Sequence, residues 1–219
     1  MQIVKERALR PLDPEAVKTA VGQGAQVLDI RSAAEFADGF VPGSINIGID
    51  GMFAIWVEAL IQNASKPLIL VGSEVEINDA IVHLGRIGYQ NVDGFLDGGL
   101  RAWGRSGHAV DRIETIDSDH FSNLFKTGTL NILDCRTVAE FDAMHVAKAI
   151  SFPLSVIKKN LPLLDKKKVF YIHCKSGYRS MAAASILRKH GIEQVIDIHG
   201  GFDALLDSGI PTNASQKET

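Results

Sequence analysis

The chain has 219 residues, 46% hydrophobic and 22% charged, with a net charge of −3. That apolar content excludes whole-chain disorder, and the near-balanced charge excludes a partner gripped by a basic face, nucleic acid above all. Two cysteines exclude a disulfide framework and a structural zinc site.

The first seven residues lack the basic-then-apolar order of a signal peptide. The best apolar run, residues 53–61, is too short to span a bilayer and is broken by Glu58. A cytoplasmic protein with no membrane partner is expected. In chain order, Val27-Leu28-Asp29-Ile30-Arg31 is followed by Glu35-Phe36, then by Gly43-Ser44-Ile45-Asn46-Ile47 and Gly98-Gly99. The same series returns as Ile132-Leu133-Asp134-Cys135-Arg136, Glu140-Phe141, Lys148-Ala149-Ile150-Ser151-Phe152 and Gly200-Gly201. The early anchors repeat at an offset of 105 and the glycine pairs at 102. Such ordered matches mark an internal duplication of domain size. The halves are expected to be residues 1–110 and 111–219, with a polar, mobile tail from Asn213 to Thr219.

Each half alternates strand and helix. In the second, 130–134 reads as a buried strand, and Thr137 with Glu140 as a capping box opening a helix. Residues 168–173 form a β-branched and aromatic strand, 180–190 an Ala-rich helix closed by Gly191, and 194–198 another strand. This order predicts an α/β fold: in each half, a parallel sheet flanked by helices on both faces. In such sheets the site lies beyond the carboxyl ends of the strands.

One strand-to-helix turn there carries chemistry: Cys174-Lys175-Ser176-Gly177-Tyr178-Arg179. The unpaired amides and positive end of the following helix favour an anion. The Cys174 thiol is therefore expected to ionise more readily than a free cysteine. Lys175 and Arg179 add positive charge, and Gly177 lets successive amides face one centre. The competing possibility, an inert buried cysteine, does not account for Gly, Arg and Ser at this spacing.

This turn resembles the active-site loop of rhodanese-type sulfurtransferases. Asp134-Cys135-Arg136 with Glu140-Phe141, Phe40-Val41-Pro42-Gly43-Ser44-Ile45-Asn46-Ile47, and Gly98-Gly99-Leu100-Arg101-Ala102-Trp103 resemble further motifs of that family. The resemblance covers residues 12–108 and 116–211. It implies two rhodanese-like domains and a Cys174 persulfide formed from a small sulfur donor, thiosulfate or a persulfide. The persulfide would be discharged to a thiol acceptor or cyanide, with Lys175, Ser176, Gly177, Tyr178 and Arg179 as the binding loop. It implies no cofactor and no metal.

The first half departs from the pattern. Gly72 stands where Cys174 stands, and Glu74 and Glu76 would repel an anion, so this half is expected to be inactive. Leu9-Arg10-Pro11-Leu12 and Asp50-Gly51-Met52-Phe53-Ala54-Ile55-Trp56 resemble the rhodanese portion of metallo-β-lactamase–rhodanese fusion proteins. That resemblance implies a persulfide dioxygenase domain or protein as partner. The chain itself carries no His-x-His-x-Asp-His metal motif.

Two other functions compete. Cysteine-dependent phosphatases use Cys-x5-Arg, whereas Cys174-x4-Arg179 is one residue shorter, a cradle better suited to one added sulfur. A non-catalytic partner-binding module fits the first half but not an intact Cys174 turn. Arg31, Arg136, Glu35 and Glu140 recur in both halves and are expected to serve structural pairing. Cys135 reads as a core residue before a resolving thiol. His173 should alternate away from Cys174, His145 is expected to be structural, and Trp56 and Trp103 should pack.

Overall fold

The computed structural model describes residues 10–61 and 66–215. The chain divides into two compact units, Met1–Arg112 and Ile113–Thr219.

Unit 1 contains β1 (Pro11–Leu12), α1 (Pro14–Gly22), β2 (Gln26–Asp29), α2 (Ala33–Asp38), β3 (Ile45–Asn46), α3 (Phe53–Leu60), β4 (Leu68–Val71), α4 (Glu74–Arg86), β5 (Val92–Leu96) and α5 (Gly99–Arg105). Its strands lie in the order β1-β5-β4-β2-β3, all parallel. All four residues of β4, Leu-Ile-Leu-Val, are buried, as a parallel strand covered by helices on both faces requires. Val27, Ile69, Val71 and Leu96 pack with Val17 of α1 and Trp103 of α5 on one side.

Unit 2 repeats the plan with β6 (Glu114–Ile116), α6 (Ser118–Thr127), β7 (Asn131–Asp134), α7 (Val138–Ala143), β8 (His145–Val146), β9 (Ile150–Ser151), α8 (Ile157–Asn160), β10 (Phe170–His173), α9 (Tyr178–Lys189), β11 (Val195–Ile198), α10 (Gly201–Asp207) and β12 (Thr212–Asn213). The main sheet runs β6-β11-β10-β7-β9, again parallel and in the same topological order. The change of offset has a location: 21 residues separate β3 from β4, and 18 separate β9 from β10. Phe121, Ile132, Ile198, Phe202 and Leu205 fill the core between this sheet and α6 and α10.

The boundaries of several elements shift. The Ala-rich helix begins at Tyr178, two residues before the expected Ser180, because Gly177, not a side-chain cap, occupies its N-cap position. The tail is anchored further than its polarity suggests. Thr212 and Asn213 pair antiparallel with Val146 and His145, and the Ser215 N–H donates to the Asp142 carbonyl at 3.0 Å. Residues 216–219 of that tail, and Leu9 of the first motif, lie outside the described residues. No helix among the described residues is long and apolar enough to cross a membrane.

Candidate active site

Strand β10 carries Cys174 to the carboxyl end of the sheet and α9 leaves from Gly177, with four residues between strand and helix. Gly177 has φ +111°, a left-handed conformation that a side chain would strain. That geometry turns the Gly177 N–H onto the Cys174 sulfur at 3.2 Å. Cys174 is 1% exposed, while Lys175 and Ser176 face solvent and Tyr178 and Arg179 are half-buried.

The turn is braced from α10. Phe202 N–H donates to the Cys174 carbonyl at 2.7 Å and Asp203 N–H to that of Lys175 at 3.2 Å. A Cβ on Gly201 would lie 2.7 Å from the Cys174 carbonyl oxygen and 2.6 Å from that of Lys175. The second glycine of the Gly200-Gly201 pair is thus what permits the approach of α10 to the turn.

Arg179 does not simply add positive charge. Its two terminal nitrogens donate to both carboxylate oxygens of Glu140 at 2.7 and 2.8 Å. This fork–fork pair holds the Glu140 carboxyl down at about 2, Arg179 being the largest cause. Glu140 also accepts from the Thr137 N–H at 2.9 Å, closing the expected capping box.

The remaining charges that recur in both halves separate into two kinds of pair. Arg136 lies in a bidentate contact with buried Asp134 and donates to the Met144 carbonyl at 2.7 Å. Arg31 does the same with Asp29 and the Gly39 carbonyl. These are structural clamps for the loop after the second strand of each unit. Glu35 caps only its own helix, whereas Glu140 reaches the Cys174 turn through Arg179.

His173 projects to the face opposite Cys174, 6.0 Å from the Phe202 ring, and burial holds it below the usual imidazole range. Cys135 follows β7 as Cys174 follows β10, its N–H donating to the His173 carbonyl at 2.8 Å. Burial, then the neighbouring Cys174, pushes the Cys135 thiol well up, so it is a neutral core thiol. His145 contacts the Phe141 carbonyl through Nδ1 at 2.8 Å and stacks on the Phe141 ring. Trp103 is buried and donates to the Ala109 carbonyl, and Trp56 is half-buried.

In unit 1 the matching turn is only Gly72-Ser73, because α4 begins two residues earlier in the common register. Ser73 caps the helix and its N–H donates to the Glu76 carboxylate at 2.6 Å. Amides that would face an anion are thus used by the helix and its own glutamate. Gly99, the counterpart of Gly201, has nothing within 4 Å of its would-be Cβ. The retracted turn leaves a cavity of about 690 Å³ between Gly72-Ser73, Gly98-Gly99, Arg31 and Arg101.

The rhodanese-like domain family matches this sequence twice, over residues 13–106 and 117–208. The chain belongs to the rhodanese-like domain family.

Similar proteins are a sulfurtransferase of Allochromatium vinosum, 30% identical over 105 residues, covering 48% of this chain and 98% of that one, and the chloroplastic thiosulfate sulfurtransferase 16 of Arabidopsis thaliana, 34% identical over 94 residues, 37% of this chain and 78% of that one. The putative sulfur carrier protein YrkF of Bacillus subtilis is 33% identical over 89 residues, 41% of this chain, and the match spans only 44% of its length. Among solved structures, a rhodanese-like domain protein of Staphylococcus aureus is similar at 28% identity and a TM-score of 0.42, covering 45% of this chain and 97% of that one.

Within the second rhodanese-like domain, then, the sheet and α10 bring Cys174, Gly177 and Arg179 together, and Lys175 and Ser176 line the outer side of the turn. Glu140 and Gly201 escaped sequence reasoning as parts of this site. For Glu140 the sequence pointed the other way: the glutamate is present in both halves, whereas the counterpart of Arg179 in the first domain is Ile77, so recurrence alone marked Glu140 as structural.

Proposed function

We propose that the second rhodanese-like domain, residues 111–219, moves sulfane sulfur from thiosulfate or a persulfide to a thiol or cyanide through Cys174. The single observation that carries this reading is the Gly177 N–H directed at the Cys174 sulfur at the mouth of a helix. The Cys174 sulfur attacks the outer sulfur of thiosulfate, the S–S bond of the donor breaks, and sulfite leaves with the electron pair. The terminal sulfur of the resulting persulfide carries negative charge at the focus of the turn amides. An incoming cyanide carbon or thiolate then takes that sulfur, and the Cys174–sulfur bond returns its electron pair to Cys174.

The engaged state of Arg179 supports sulfur over phosphate. A phosphatase arginine needs its fork for phosphate oxygens, and here that fork is occupied by Glu140. The first domain, residues 1–110, is the non-catalytic member, and a persulfide dioxygenase is the partner we assign to the pair. The deciding experiment is incubation with thiosulfate or glutathione persulfide followed by mass spectrometry. A one-sulfur adduct on the peptide bearing Cys174 supports the reading. Cys174-dependent release of phosphate from p-nitrophenyl phosphate in excess of thiocyanate formation would refute it.

A further inference from the structure

A second thiol stands beside Cys174, and the transfer proposed above does not use it. Strands β7 and β10 run parallel with Asp134 opposite His173, and the Cys135 N–H donates to the His173 carbonyl at 2.8 Å. Cys135 and Cys174 are the next residues along those two strands, and alternation turns both side chains to the face opposite Asp134 and His173. In-register residues of neighbouring strands lie about 4.8 Å apart, within the roughly 4.4–6.8 Å between Cα atoms that a disulfide bridges. Both thiols are free, and each is 1% exposed.

The first domain displays the side-chain contact. Ile30 and Gly72 hold the same two places, and the Ile30 N–H donates to the Val71 carbonyl at 2.9 Å. There Ile30 Cγ1 lies 2.7 Å from the point where a Gly72 Cβ would be. A γ atom at the first place thus reaches the β carbon of the second. In the second domain that γ atom is the Cys135 sulfur, and the β carbon is the one that bears the Cys174 sulfur.

We propose that Cys135 is a resolving thiol: once Cys174 carries a persulfide and no acceptor enters, Cys135 attacks the Cys174 sulfur, hydrosulfide leaves, and a Cys135–Cys174 disulfide closes. The inference rests on the proposed persulfide and adds an acceptor within the chain itself. A bond forms between the two cysteine Sγ atoms, and the bond from Cys174 Sγ to the outer sulfur breaks with its electron pair on the outer sulfur. The outer sulfur is reduced to sulfide and the Cys135 sulfur is oxidised, so no outside oxidant enters. Burial keeps Cys135 protonated, and that proton departs on the outer sulfur as hydrosulfide. Poor ionisation slows each encounter, but Cys135 is already inside a site that an external thiol must enter, and intramolecular reach offsets that handicap. A low-molecular-weight thiol then reduces the disulfide and restores both cysteines.

The test is a single loading of wild type, Cys135→Ala and the shape-conserving Cys135→Ser. Each is treated with thiosulfate, freed of it by gel filtration, and left under nitrogen without an acceptor. Released sulfide is assayed, and non-reducing peptide maps are taken over time by mass spectrometry. In wild type the one-sulfur adduct on Cys174 should decay into equimolar sulfide and a Cys135–Cys174 linked peptide. In both variants the adduct should last roughly tenfold longer or more, with no linked peptide. Equal adduct lifetimes in wild type and variants, or sulfide released from wild type without the linked peptide, would overturn the proposal. The linked peptide is read on wild type, so the test stands even where a variant folds poorly. A variant retains Cys174 and lacks the resolving thiol, so its adduct reads the sulfurtransferase assignment alone. Folded variants that take no adduct refute that assignment, whereas an adduct that persists in wild type refutes only the resolving role.

Discussion

Ile30 stands where a nucleophile at position 72 would have to be: a Cβ built on Gly72 would lie 2.7 Å from Ile30 Cγ1. The counterpart of Ile30 in the second domain is Cys135, whose side chain has two fewer non-hydrogen atoms and which neighbours Cys174. Glu76 Oε2 lies 3.2 Å from the same point. The first domain therefore lacks not only the cysteine but also the space and the open anion position beside it.

Restoring the cysteine alone should fail. Gly72→Cys is expected to destabilise the chain by about 1–3 kcal/mol through overpacking against Ile30. It should yield no one-sulfur adduct at position 72 after treatment with thiosulfate. Adding Ile30→Cys should recover stability but not the adduct, because the turn remains two residues long and capped by Glu76. Thermal melts and peptide mass spectrometry of both variants check this.

At the intact turn, Cys174→Ser should lower thiosulfate:cyanide transfer by on the order of 1,000-fold or more with the melting transition in place, since the hydroxyl stays protonated. Transfer near the wild-type rate would remove Cys174 from the site.

The two matched glycines give a paired comparison. Gly201→Ala meets two backbone carbonyls that cannot rotate away, on top of a φ of +63°. It should cost at least ~2 kcal/mol and most of the transfer activity. Gly99→Ala, at φ +58° with open space around it, should cost only the conformational strain, ~1 kcal/mol, and leave transfer unaltered. Equal effects of the two substitutions on transfer would contradict the bracing of the turn by α10.

The Glu140–Arg179 pair has a pH signature. Because the folded Glu140 carboxyl is held at about 2, below its ordinary 4.5, its stabilisation is complete above about pH 4.5 and is lost as the pH falls toward 2. Glu140 is about one-third exposed, so after solvent screening the pair contributes about 1 kcal/mol. Glu140→Gln should lower the urea midpoint at neutral pH, and the gap to wild type should close at low pH. With its fork released, Arg179 should also make p-nitrophenyl phosphate a better inhibitor of transfer in the variant. A constant gap at all pH values would mean that the charge of Glu140 contributes nothing to stability.

Much of this protein is determined locally. The duplication, the alternation of strand and helix, the Thr137–Glu140 capping box and the Cys174-to-Arg179 turn are set by residues close in sequence, because propensity, capping and turn chemistry act over three or four positions. The missing cysteine at Gly72 is equally plain. What only the tertiary structure decided are encounters between distant segments. Arg179 meets Glu140 across 39 positions, Gly201 presses on the Cys174 carbonyl, Asp197 comes into register with Ile172, and Ile30 fills the space beside Gly72. Each depends on which strands are neighbours and in what register, and a parallel sheet assembled through helical crossovers places side by side strands far apart in the chain. The same physics hid the fate of the first turn. Glu74 and Glu76 read as repelling charges in the sequence, but in the fold α4 extends over them and Glu76 becomes the anion that its helix amides hold.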